Sequence, residues 1–189
     1  MSSLDITITC FSTSSENNVP LAYTLMNQFI QNHVVVGLIG QENVSSEFTY
    51  QIKLGHTAHL KLFYVSNLAD KNPMAQYSDI FLIFLNIENK EDCDKITDIV
   101  DFINNLGVLD KNVFVIGVYK EKEKKKFGKE EIEEKFVNCS IYHTYTEIEE
   151  NTLSKALEGL FITIYDTLQS TMKKEKLDGD KGRSRCLIF

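Results

Sequence analysis

Residues Ile80-Phe81-Leu82-Ile83-Phe84-Leu85 form an unbroken apolar run. Asn112-Val113-Phe114-Val115-Ile116-Gly117-Val118 repeats the pattern further along. A strand with one wet face alternates apolar and polar residues, whereas one that is apolar at every position is buried on both faces. Two such strands require a sheet covered by helices on each side. The segment between them supplies one, because Ile96, Ile99, Val100 and Ile103 fall on a single helical face. Strand, helix, strand in that order predicts a parallel pair with a crossover connection.

The rest of the chain fits the same alternation. Ile6, Ile8 and Cys10 alternate with polar residues as a first strand does, and Pro20 opens a helical pattern with Leu21, Leu25, Phe29 and Ile30 on one face. Residues 48–54 and 60–65 read as strands joined by Gly55-His56-Thr57, which has hairpin chemistry, so this pair is expected to be antiparallel. The charged run 120–129 reads as a solvated loop, residues 129–136 as a short helix and residues 139–143 as a last strand. Leu153, Leu157, Leu160, Phe161 and Ile164 recur at helical spacing within 149–172. The expected fold is α/β, a six-stranded, mostly parallel sheet with one antiparallel edge strand and helices on both faces. A chain of 189 residues supports one such core. The domain is expected at 1–171, followed by a flexible basic tail at 172–189.

Charge divides body from tail. The formal net charge is −7, yet from residue 172 onward six basic residues (Lys173, Lys174, Lys176, Lys181, Arg183, Arg185) outnumber three acids. The acidic body repels nucleic acid, which is excluded as a partner, and only the tail is drawn to anionic lipid. Lys122-Glu123-Lys124-Lys125-Lys126 is interrupted by an acid and lacks aromatic stacking partners.

Cys186-Leu187-Ile188-Phe189 has the form of a CaaX signal, so Cys186 is the expected attachment point of a geranylgeranyl chain. That predicts the cytoplasmic face of a membrane, in exchange with the cytosol, because one lipid chain with few basic neighbours binds reversibly. No apolar run approaches the roughly 18 residues that span a bilayer. Cys10, Cys93, Cys139 and Cys186 show no paired spacing, so neither a disulfide framework nor a metal site is expected. His56 and His59 have no acidic or thiol partner in sequence reach, and no spacing identifies a catalytic residue.

In its order of elements, its lipid signal, and the segments Leu25-Met26-Asn27-Gln28-Phe29-Ile30 and Asp79-Ile80-Phe81-Leu82-Ile83-Phe84, the chain resembles a Ras-superfamily small GTPase of Ras or Rho type. The resemblance covers nearly the whole chain. It implies a P-loop NTPase architecture, protein effectors and regulators as partners near residues 37–50, and a chaperone that shelters the prenyl chain.

The positions that bind nucleotide in that family are altered here. A phosphate loop GxxxxGK[ST] uses glycines so that its backbone wraps the phosphates, a lysine for their charge and a hydroxyl for magnesium. Residues 10–23 contain neither glycine nor lysine, and Glu16 brings a negative charge. Like unit charges about 4 Å apart cost roughly 4 kcal/mol at an effective dielectric of about 20. Val65-Ser66-Asn67-Leu68 stands where the family has Asp-x-x-Gly, and Val118-Tyr119-Lys120-Glu121 where it has Asn-Lys-x-Asp. Tyr145-Thr146-Glu147 replaces Ser-Ala-Lys.

The leading expectation is therefore a membrane-tethered pseudoGTPase without a cofactor, a nucleotide-independent protein-interaction module in signalling or trafficking. The alternative is a divergent GTPase that binds GTP or GDP with magnesium. Its degenerate site would comprise Ser14, Ser15 and Asn18 as polar donors, with Tyr119, Lys120 and Glu121 at the base. A third possibility is an unrelated prenylated α/β adaptor.

Overall fold

The computed structural model describes residues 2–13, 15–16, 19–32, 35–42, 45–53, 56–65, 68, 75–107, 112–137 and 143–183. Strand β1 (Ser2–Ser12) leads through a short hairpin, β2 (Ser15–Glu16) and β3 (Val19–Pro20), into helix α1 (Leu21–Asn32). Strands β4 (Val35–Glu42), β5 (Ser45–Lys53) and β6 (His56–Val65) follow in succession. Then come β7 (Ile80–Asn86), α2 (Lys90–Asp94), α3 (Ile96–Asn105), β8 (Asn112–Tyr119), α4 (Lys129–Glu134), β9 (His143–Glu149) and α5 (Leu153–Arg183).

The main sheet has the order β4-β5-β6-β1-β7-β8-β9 among the described residues. β6, β1, β7, β8 and β9 run parallel, and β5 pairs antiparallel with β6. The expected α/β fold is therefore present, a mostly parallel sheet with an antiparallel arm and helices on both faces, consistent with a small-GTPase-like P-loop architecture. β4 extends it by a seventh strand, antiparallel to β5. Its register shifts between Val35 and Gly37 and between Leu38 and Gly40. Glycines at such irregularities let a strand bulge and still pair. In consequence β5 is an interior strand, and β4 is the edge on that side.

The apolar runs divide alternately between two cores. From β7, Ile80, Leu82 and Phe84 pack with Leu25 and Phe29 of α1 and Leu157 and Phe161 of α5. Phe81, Ile83 and Leu85 point the other way, onto Ile96, Ile99, Val100 and Ile103 of α3 and Ile132 of α4. β8 splits likewise, with Phe114, Ile116 and Val118 on the first side and Val113 and Val115 on the second. Successive strand side chains face opposite ways, so an unbroken apolar run is what two covered faces demand.

Three local expectations are corrected. His56 and Thr57 already belong to β6, pairing with Lys53 and Gln51, and the connection between β5 and β6 lies outside the described residues. The last described strand is residues 143–149, later than the expected 139–143, of which residues 139–142 lie outside the described residues. Among the described residues it pairs only with β8, and its half-buried and exposed positions carry Thr and Glu, which conceals it in a search for apolar runs. The helix expected to end near 172 continues to Arg183, so residues 172–183 of the expected flexible tail are helical. Met172, Lys173, Lys174, Glu175, Lys176 and Leu177 are good helix formers with no proline among them. Among the described residues no helix is long and apolar enough to cross a membrane.

Candidate functional site

β1, β7 and β8 are parallel neighbours, so their C-terminal ends gather at one edge of the sheet. The chain leaves β1 for β6 on one side and β7 on the other, the kind of switch point at which open α/β sheets hold ligands. A cavity of about 360 Å³ opens there. Leu21, Thr24 and Leu25 of α1 line it on one side, and Val118, Tyr119 and Lys120 at the end of β8 line another.

The segment after β7 builds the remaining wall. Asn86 Oδ1 accepts a hydrogen bond from the Glu88 amide at 3.1 Å, which turns the chain. Asn89 Oδ1 accepts from the Glu91 amide at 3.0 Å and caps α2. This pair of side-chain turns sets Glu88, Glu91 and Asp92 along the cavity, where Glu150 joins them.

Three backbone donors near the cavity are answered by side chains of the chain itself. Glu88 Oε1 accepts from the amides of Lys120 at 3.1 Å and Glu121 at 2.7 Å, so one carboxylate ties the end of β7 to the end of β8. The Ala22 amide in the first turn of α1 donates to Ser12 Oγ at 2.8 Å. First-turn amides of a helix otherwise seek an outside acceptor.

The cations are also engaged. Lys95 Nζ donates to the Thr13 carbonyl at 2.9 Å and to Asp92 Oδ1 at 3.0 Å. Asp92 is almost fully buried, its side chain only 5% exposed, so this pair is held at the cavity wall. Thr13 Oγ1, buried at the end of β1, has no hydrogen-bond partner among the described residues. Lys120 Nζ lies 3.7 Å from Glu150. Four carboxylates against two ammonium groups leave the lining acidic.

The candidate residues read from the sequence separate into two groups. Ser14 and Asn18 lie outside the described residues. Ser15 is described by its backbone, paired with Pro20 in the β2–β3 hairpin. Tyr119 and Lys120 line the cavity, whereas Glu121 pairs with Lys124 beside it. The Tyr119 ring carries Lys125 Nζ 4.2 Å from its centroid, and Lys125 also pairs with Glu147. Tyr145, Thr146 and Glu147, set against Ser-Ala-Lys by the resemblance, all lie within β9.

No protein-family model matches this chain, and no curated protein matches it. The residues must speak for themselves.

Two residues that sequence reasoning passed over, Glu88 and Lys95, organise the cavity. Asn89 followed by Glu91 and Asp92 is a helix-start signal directly after a buried strand, and it marks this segment in retrospect. His59 is a second correction, for Nδ1 lies 3.2 Å from Asp5 and Nε2 3.0 Å from Glu47. Both acids come from neighbouring strands and are invisible along the chain. No group of His, Cys, Asp or Glu suited to a metal ion occurs among the described residues.

The two described thiols, Cys10 and Cys93, are buried. Burial, reinforced by Asp92 and Asp94, pushes the Cys93 thiol up to about 12, and burial alone raises Cys10 further.

Proposed function

We propose that this chain is a pseudoGTPase, a small-GTPase-like scaffold whose crevice has an acidic lining with its cations already engaged, and which acts by binding proteins. The observation that supports this most is Glu88. Its carboxylate takes the Lys120 and Glu121 amides where the resemblance places the base-reading segment. Lys95, a cation at the crevice, is spent on Asp92 and a main-chain carbonyl. A triphosphate entering an acidic lining meets repulsion, with no free cradle among the described residues to offset it.

Calorimetric titration of the full chain with GDP and GTP, each with magnesium, tests the proposal. No heat of binding at 100 μM nucleotide is the expected result, and tight binding of either would overturn it.

The divergent-GTPase reading keeps one observation in its favour. The cavity volume falls within the range of small-molecule sites, at the sheet edge where they occur. The same titration decides between the two.

The protein-binding surface belongs to the proposal as well. With β5 covered, the edge that can accept a partner's strand on the antiparallel side of the sheet is β4, from Val35 to Glu42. The membrane tether through Cys186 rests on the tetrapeptide 186–189 alone, which lies outside the described residues.

A further inference from the structure

We propose that β9 is a self-association edge, at which two copies of this chain pair their β9 strands antiparallel about a two-fold axis at Thr146 and join two seven-stranded sheets into one. The inference goes beyond the pseudoGTPase reading and stands or falls apart from it, because it uses the sheet and not the crevice.

β9 ends the parallel side of the sheet, and its outer edge has no neighbouring strand among the described residues. The amides and carbonyls along such an edge are a template for another strand, which monomeric proteins blunt with lysine, proline or a bulge. β9 carries none of these. It reads His143-Thr144-Tyr145-Thr146-Glu147-Ile148-Glu149 and pairs with β8 residue for residue, from Val113 with His143 to Tyr119 with Glu149, without a shift. β4, at the opposite edge, is interrupted twice, so β9 offers the longer unbroken ladder per register. Thr144 and Thr146 are exposed, which leaves the seam open on their face.

Self-complementarity makes a second copy the occupant. A two-fold axis normal to the sheet keeps each face of one copy continuous with the same face of the other, so directly opposed residues must point the same way. Thr146 is the middle residue of the seven, and an axis there sets the whole strand against itself. Thr146 then faces its own counterpart, His143 faces Glu149, Tyr145 faces Glu147 and Thr144 faces Ile148. Threonine pairs hydrogen-bond across strands, and each His143 brings a ring N–H donor to a carboxylate, twice per dimer. Stacking on Phe136, with ring centroids 4.1 Å apart, holds the His143 ring in place. Asn151 donates to Glu149 Oε1, and Oε2 remains to accept. Glu147 is neutralised within its own copy by Lys125, so no unpaired like charges stand directly opposite each other.

The test is sedimentation equilibrium of the full chain from about 5 to about 500 μM, in salt of about 150 mM so that the net charge of −7 is screened within about 8 Å. A reversible dimer, half-formed on the order of 100 μM as suits a small interface, is expected. Thr146→Lys sets like charges opposite each other at the axis and should weaken association at least about tenfold, with an unchanged urea midpoint because the position is exposed. Gln76→Lys, an equal change of charge at an exposed site away from β9, should leave association as it is. Hydrogen exchange of the unaltered chain gives an independent reading, since amides within 143–149 should exchange more slowly at the higher concentration. A chain that stays monomeric to about 500 μM overturns the inference. So does a dimer that survives Thr146→Lys undiminished, or one whose formation protects β4 or a helix and not β9.

Discussion

The Tyr145 hydroxyl on β9 stands 2.6 Å from the point where a Cβ on Gly117 of β8 would lie. Glycine is required there by close approach of a neighbouring side chain, since its backbone is ordinary strand. Tyr145 in turn donates to Glu147 at 3.2 Å, and Glu147 pairs with Lys125. One missing methyl group thus lets the last strand fix the charged loop that follows β8.

Gly117→Ala is expected to destabilise the protein by about 1–3 kcal/mol, as overpacking in a filled interior does. Tyr145→Phe removes the atom in closest conflict, so the double variant should lose less than the sum of the two single losses. Denaturant midpoints of the four proteins measure the coupling. Strict additivity would show that the hydroxyl is not the obstacle.

Glu88→Ala should free the amides of Lys120 and Glu121. Because these bonds are exposed, the expected loss is about 1 kcal/mol, below the roughly 1.5–3 kcal/mol of hydrogen bonds to charged groups in general. Amide hydrogen exchange gives the sharper readout. Faster exchange confined to residues 120–121 is expected, and unchanged protection there would show that the carboxylate is not their partner.

Thr13→Val replaces a buried hydroxyl that has no partner among the described residues with a methyl group of similar size. Desolvating an unpaired hydroxyl costs about 1–3 kcal/mol, so the substitution should be neutral or stabilising by up to about 1 kcal/mol. A loss above that amount in urea unfolding would mean that the hydroxyl is engaged in solution.

The sequence made some of this structure plain and hid the rest for physical reasons. The runs at 80–85 and 112–118 announced doubly covered strands because both faces are dry, and the helical stripe at 96–103 followed the same logic. β4 was obscure because its glycines sit at register shifts, and β9 because one side of it has no neighbouring strand among those described. The cavity was harder to see. Tyr119 and Lys120 were found through the resemblance, but Glu88, Asp92 and Lys95 are ordinary charged residues until cross-strand register brings them to one edge. His59 shows the same limit, since its partner Asp5 is 54 positions away and meets it only through the pairing of β1 with β6.

Alkaline pH should destabilise the fold before it affects individual exposed lysines. Burial raises Cys93 from its ordinary 9.0 to about 12, and raises Tyr64 and Tyr145 above their ordinary 10.0, with Glu147 adding to the shift of Tyr145. Each group is neutral when protonated, so the folded state holds its proton more tightly than the unfolded chain. Stability from Cys93 is fully present below pH 9.0 and falls as pH rises from about 9 to about 12, because only the unfolded chain releases the proton in that window. The tyrosines extend the decline upward from pH 10.0. Urea midpoints measured from pH 7 to pH 11 should therefore be level to about 9 and then drop. Cys93→Ala should reduce the drop between 9 and 10, where the tyrosines contribute least. A midpoint that stays level to pH 11 would show that these groups meet solvent in the folded state.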